Sequence, residues 1–348
     1  MSPSAIAPVL DFPWAEPPAD GELREIAPGL LWLRLALPYR LNHVNIYLLA
    51  EQGGWAVVDT GLGDDATRDT WRAVLAGPLA GQRLTRVIAT HFHPDHVGLA
   101  GWLCETHDIP LYMPRNEYLF SVALQFAPGD RGGDMYQHFY RSHGLADPII
   151  ERVLSNGHEY LRRTTGVPSV YRRLSHGQVL TVGSRRFTVT TGGGHAMEQA
   201  MLYCAEERLF LAADQVIAQI SPNISVHAME PEADSLGDYL ASLRGLIAAI
   251  PNNVLVLPGH GLPFRNLHGR ACALIAHHGL RCSEIAEACR TQPRSAADLI
   301  PFVFRRELDA HQTGFAFGEV LAHVNHMLEQ GTLVKAPHAD GVARTRTA

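Results

Sequence analysis

The sequence predicts an α/β protein: an αββα sandwich with a helical insertion and a small C-terminal winged-helix-like domain. Three observations carry this. Short apolar, β-branched runs fall into two groups along the chain; helical patterns lie between and after them; and two long segments, 115–175 and 266–336, are helical where the strand rhythm would need only short links. Two facing sheets with helices packed outside them satisfy all three.

Residues 1–22 are rich in Pro, Ala and acidic side chains without any period, and are expected as an extended arm. The sandwich domain is expected over 23–265. It opens with an antiparallel meander of runs at 29–37, 43–50 and 55–60, broken by Pro, Asn and Gly. A helix follows at 64–79, with Asp64 and Asp65 in its first turn, then a buried strand at 86–90, a helix at 97–107 and a strand at 110–113. The second group of strands falls at 178–182, 186–191, 201–204 and 209–213. Helix 235–250 and strand 254–257 close the sandwich.

Within the insertion, three helices are expected near 116–126, 134–143 and 148–163. A structured insertion of this length is more often functional than decorative. The C-terminal module, 266–336, reads as helices at 268–288, 296–304 and 315–330 with a strand at 332–335, and 337–348 reads as a polar tail.

Composition narrows the function. The chain has 348 residues, 46% hydrophobic and 18% charged, and a net charge of -6, which suits a globular core and excludes whole-chain disorder. No basic footprint for nucleic acid stands out, and the C-terminal module is nearly balanced in charge. No apolar run reaches about 18 residues, so no membrane partner is expected. The five cysteines, Cys104, Cys204, Cys272, Cys282 and Cys289, are odd in number and form no Cys-x-x-Cys pair. Reduced thiols and a cytoplasmic location are therefore expected, with no signal peptide at the N-terminus.

The chemistry concentrates just past the strand at 86–90, in His91-Phe92-His93-Pro94-Asp95-His96. His91 and His93, two apart on extended backbone, can converge on one divalent ion while Asp95 and His96 reach a second. Imidazole with carboxylate favours zinc, with iron or manganese as alternatives. A two-metal site needs further ligands at other strand ends. His195 after Gly192-Gly193-Gly194, Asp214 after the strand at 209–213, and His260 in Pro258-Gly259-His260-Gly261 are the candidates.

Together with Asp59 in Val58-Asp59-Thr60-Gly61, these spaced motifs make residues 24–265 resemble the metallo-β-lactamase superfamily, whose fold is the αββα sandwich. The resemblance implies two metals: His91, His93 and His195 on the first, Asp95, His96 and His260 on the second, with Asp214 bridging and Asp59 holding the ligand loop. One departure stands out, Gln199 where many relatives carry a second His, which puts local substrate contacts and any role for Glu198 in doubt. Two ions sharing a water lower its pKa from 15.7 towards about 7 and supply a bridging hydroxide as nucleophile. Asp95 or Asp214 is the expected proton relay, and no Ser or Cys nucleophile is required.

The ligand set fixes the reaction better than the substrate. The resemblance, glyoxalase-II-like overall, implies hydrolysis of a small ester-like substrate, a thioester of the hydroxyacylglutathione or acyl-thioester kind. A lactone, a nucleic-acid phosphodiester and the chemistry of a mono-iron persulfide dioxygenase are the alternatives. Tyr118, Phe120, Phe126, Tyr136, Phe139 and Tyr140 are candidates for an apolar lid, the loop 219–226 for a pocket wall, and Arg40 and His43 for a flap. The C-terminal module is expected to serve packing or a homodimer. His138, His227, His277, His278, His323 and His326 have no ligand-like context, and His323 with His326 reads as a solvent-facing pair.

Overall fold

Period-two alternation sorts the early apolar residues onto two faces, and both faces are covered. In the computed structural model, which describes residues 8–126, 129–154, 159–337 and 339–348, β2 (Leu30–Ala36) and β3 (His43–Glu51) lie between β1 (Leu23–Ala27) and β4 (Gly54–Val58) in an antiparallel meander. Parallel strands β5 (Leu84–Ile88), β6 (Leu111–Pro114) and β7 (Tyr171–Leu174) complete a seven-stranded sheet in sequential order. Leu33, Leu35, Val44, Ile46 and Leu48 point outward against Trp71 of α1 (Asp65–Ala76) and Leu103 of α3 (Ala100–His107); between these two helices lies the short α2 (Pro94–Val97).

The intervening residues Leu30, Trp32, Tyr47 and Leu49 point inward. They meet Leu180, Phe187, Val189 and Leu202 of a second sheet, ordered β12-β11-β10-β9-β8. Its strands are β8 (Val179–Val182), β9 (Arg185–Gly192), β10 (Gln199–Cys204), β11 (Leu209–Ala213) and β12 (Leu255–Pro258). Its outer face, with Met201, Phe210 and Ala212, packs on α8 (Ser235–Ala249) and the C-terminal helices. Trp32, Trp71, Phe187 and Phe210 are all fully buried, and each such side chain contributes about 1.5–3 kcal/mol as an upper estimate. The αββα sandwich is thus present.

The insertion forms α4 (Arg115–Phe126), α5 (Gly129–Ser142), α6 (Asp147–Leu154) and α7 (Glu159–Arg163). The last two cover both ends of the helix expected over 148–163; residues 155–158 between them lie outside the described residues, as do the first seven of the expected arm. The last residues of the expected insertion belong to the sheet as β7. Its Tyr171 and Leu174 are covered while Arg172 and Arg173 are exposed, an edge-strand pattern hidden by its two arginines.

At the C-terminus, α9 (Leu267–Ala288), α10 (Ala296–Val303) and α11 (Ala310–Glu329) precede a hairpin of β13 (Leu333–Ala336) and β14 (Arg344–Thr347). The expected polar tail is in part a strand. Its Arg-Thr-Arg-Thr alternation buries Thr345 and leaves Arg346 in solvent, and Thr345 also bridges Arg294. A capping box of Ser295 and Asp298 starts α10. Among the described residues, no helix is long and apolar enough to cross a membrane.

Candidate metal centre

Strand direction decides which residues meet. β4 and β5 run parallel, so Asp59 and the His91–His96 segment leave the first sheet at one edge. In the second sheet β10 is antiparallel to both β9 and β11, and β12 is parallel to β11. The ends of β9, β11 and β12 therefore share an edge, and they deliver His195, Asp214 and His260.

At that edge His91 Nε2 lies 2.9 Å from His93 Nδ1, which lies 3.0 Å from His195 Nε2. His260 Nε2 stands 3.1 Å from Asp214 Oδ2 and 3.4 Å from Asp95 Oδ2, and His96 Nε2 stands 3.4 Å from Asp214 Oδ2. Asp214 Oδ2 also faces His195 Nε2 at 3.5 Å, so it touches both groups. Three sets of ligand atoms gather closely enough for an ion: His91, His93 and His195; His91, His96 and Asp214; and Asp95, His96 and His260. Every ligand residue expected from the sequence is thus in one cluster. His93 presents Nδ1, unlike its neighbours, which present Nε2.

At four of the five histidines, His91, His96, His195 and His260, the ring nitrogen facing away from the cluster is met by a hydrogen bond, as oriented ligands require. His195 Nδ1 donates to the Asn223 carbonyl at 2.8 Å and His260 Nδ1 to the His43 carbonyl at 2.6 Å. His91 Nδ1 meets Thr90 Oγ1 at 2.9 Å. Asp59 accepts from Thr90 N, from Thr90 Oγ1 and, through Oδ2, from His96 Nδ1 at 2.8 Å. It does so with φ +63, a left-handed conformation that Asp tolerates better than most side chains.

Two buried atoms in the cluster, His96 Nε2 and Asp214 Oδ1, have no hydrogen-bond partner. Leaving such atoms unmet costs about 1–3 kcal/mol or more each, so the donor set fits a cation. Protonation agrees. Burial pushes His91 and His93 well below the ordinary imidazole value, which keeps their lone pairs free. Burial opposes a charge on His260, but Asp214 and Asp95 outweigh it and raise the value to about 10, so a cation there would displace a proton.

Beside His195 opens a cavity of about 710 Å³, walled by Leu119 and Phe120 of α4, Met197, His227, Met229 and Asp238. Of the six expected lid aromatics, only Phe120 lines it, 4.6 Å from the Phe92 ring. Tyr118 stacks on Tyr171 at 3.8 Å, Phe139 and Tyr140 pack on Phe317 of α11, Tyr136 packs on Tyr140, and Phe126 is exposed. Tyr118, Phe139 and Tyr140 thus fix the insertion to its neighbours.

Of loop 219–226, Ser225 lines the cavity, while the Asn223 carbonyl instead orients His195. Gln199 sits behind Asp214, its Oε1 accepting from Asp214 N at 3.3 Å, and Glu198 accepts from Asn116 N. Arg40 is exposed, whereas His43 accepts from Gly261 N at 2.7 Å and so braces the His260 loop. Three side chains matter more than their sequence context indicated. His227 meets Phe92 and Phe120 edge-on at the cavity, and burial and His195 lower its pKa to about 4. Glu117 is fully buried between two ligand segments. His323 is buried rather than solvent-facing, its Nε2 3.1 Å from His278 Nδ1, while His326 meets Asp234.

Comparison with known proteins agrees with this arrangement. Residues 39–260 match the metallo-beta-lactamase superfamily, and 282–348 match the metallo-beta-lactamase-like C-terminal domain. A crystal structure of a beta-lactamase domain protein from Burkholderia ambifaria is 40% identical, with a TM-score of 0.90, over 97% of this chain and 98% of that one. A metallo-beta-lactamase family protein from Thermus thermophilus is 28% identical with a TM-score of 0.79, over 93% and 100%. Acyl-coenzyme A thioesterase MBLAC2 of Gallus gallus is 27% identical over 244 residues, 68% of this chain and 79% of the relative. Its Bos taurus counterpart is 25% identical over 68% and 80%.

Proposed function

Because the chain belongs to the metallo-β-lactamase superfamily, we propose that it is a two-metal hydrolase that opens a small acyl thioester. The convergence of His91, His93, His195, Asp95, His96 and His260 on Asp214 carries this reading. The first three would hold one divalent ion and Asp95, His96 and His260 a second, with Asp214 Oδ2 close to His195 of the first set and to His260 of the second. Zinc suits this nitrogen and oxygen set. Such a pair activates water near neutral pH and polarises a carbonyl.

The chain's own residues do the rest. Asp59 holds His96 with Nδ1 donating, so that Nε2 keeps its lone pair for the cluster. Asp95 is the more open carboxylate, its side chain 20% exposed against 7% for Asp214. It is therefore assigned the proton leaving the attacking water. Leu119, Phe120 and Met197 receive the acyl group and exclude water around it. A thiolate is a good leaving group, which removes the need for a dedicated acid. Cys104 is no rival nucleophile, since burial pushes its thiol up to about 12.

The names of the chicken and cattle relatives support the thioester bond. The five free thiols favour a reducing, cytoplasmic setting. We read 23–265 as the catalytic domain and 266–336, with its hairpin, as a winged-helix-like packing module.

The test is a substrate panel with metal-loaded and chelated enzyme: acyl thioesters, acyl-homoserine lactones and an aryl phosphodiester. Thioester turnover that disappears on chelation is expected. Faster lactone or phosphodiester turnover, or one iron per chain with oxygen consumption, would overturn the assignment.

A further inference from the structure

Glu117 lies in the first turn of α4, outside every ligand motif, yet it is fully buried. A carboxylate in such a place is stable only if its oxygens are met. Oε2 accepts from Phe92 N at 2.8 Å, and Oε1 accepts from Glu198 N. Phe92 sits between His91 and His93, and Glu198 follows His195 by three residues. One side chain thus joins two backbone segments that are distant in sequence and together supply the three imidazoles of one metal position.

The same helix grips both segments elsewhere. Asn116 N donates to Glu198 Oε2 at 3.1 Å, and the Phe120 ring packs edge-on against Phe92. Two bonds to one rigid carboxylate set a distance between the segments, whereas a hydrophobic contact could slide.

We propose that Glu117 is a positioning residue, a carboxylate clamp that sets the spacing of the His91/His93 segment against the His195 segment and so tunes the ion they hold. The proposal rests on the two-metal reading above. It also gives the helical insertion a task at the centre beyond walling the cavity.

The test titrates metal-free protein with Co(II), reading affinity and visible absorption, in the wild type, Glu117→Gln and Tyr118→Phe. The amide in Glu117→Gln keeps one acceptor but turns an NH2 towards the other backbone N–H. Tyr118→Phe deletes a hydrogen bond to the Pro168 carbonyl from the same helix without touching either ligand segment. For Glu117→Gln, Co(II) affinity about 10–100-fold weaker with an altered spectrum is expected, as for other residues that orient metal ligands; Tyr118→Phe should match the wild type.

Wild-type affinity and spectrum in folded Glu117→Gln, or equal losses in both variants, would overturn the clamp. Should Glu117→Gln fail to fold, amide exchange of Phe92 and Glu198 in the wild type decides: slow exchange supports the two bonds, and exchange at the solvent rate refutes them. If the wild type takes up no Co(II), the two-metal reading fails, and the same exchange rates still judge the two bonds.

Discussion

A Gly259→Ala substitution would place a methyl carbon 2.1 Å from Asp214 Oδ1 and 2.9 Å from His96 Cε1. Ordinary contact begins near 3.4 Å, so the carboxylate would have to retreat by about 1 Å. Gly259 is not among the positive-φ glycines, so alanine brings steric displacement without backbone strain. Misplacing a catalytic group by about 1 Å can cost about 100-fold, or about 2.7 kcal/mol of transition-state stabilisation. The assay is kcat/KM on the best thioester of the panel, with metal content and Tm measured in parallel. Gly245→Ala in α8, where an added methyl meets nothing within 4 Å, is the control and should behave as the wild type. Gly259→Ala with wild-type kcat/KM and metal content would refute the claim that Asp214 must sit where it does.

Further outcomes follow from the same geometry. Asp59→Asn keeps the shape and the left-handed backbone but turns an NH2 towards His96 Nδ1. The imidazole then moves its proton to Nε2, and metal affinity measured by competition with a chelator should fall about 10–100-fold. Burial, with neighbouring histidines, lowers His323 to about 4 and His278 to about 2, so folded protein refuses protons that the unfolded chain binds near 6.5. The stability of this pair is complete above pH 6.5 and is lost as pH falls, towards 4 for His323 and towards 2 for His278, about 2 kcal/mol by pH 5 for His323 alone. Urea unfolding from pH 7 to 5 should show this slope, and His323→Leu should flatten it; an unchanged slope would contradict the pair's role.

The ligands were legible because each motif ends a strand, and strand ends of one direction must share an edge. The pattern of apolar runs placed both sheets for the same reason. The side chains that orient the ligands were harder to read. His43 was expected only as part of a flap, but its bracing role was open to inference, since it begins a strand antiparallel to β4 and so lies at the ligand edge. The role of Glu117 was not, because nothing in an amphipathic helix marks which carboxylate will be buried against two backbone N–H groups. The lid failed on similar grounds: helical aromatics report burial but not the partner, and three of the six, Tyr118, Phe139 and Tyr140, chose Tyr171 or α11 over the metal edge. The polar tail concealed a strand because Thr and Arg alternate there with too few apolar residues to announce a period.

Elemental analysis of protein saturated with zinc by dialysis, and then freed of excess, tests the central claim most directly. The account predicts about two ions per wild-type chain, and about one for His260→Ala, which keeps the His91, His93 and His195 position. Fewer than one ion in the wild type, or an unchanged content in His260→Ala, would contradict it.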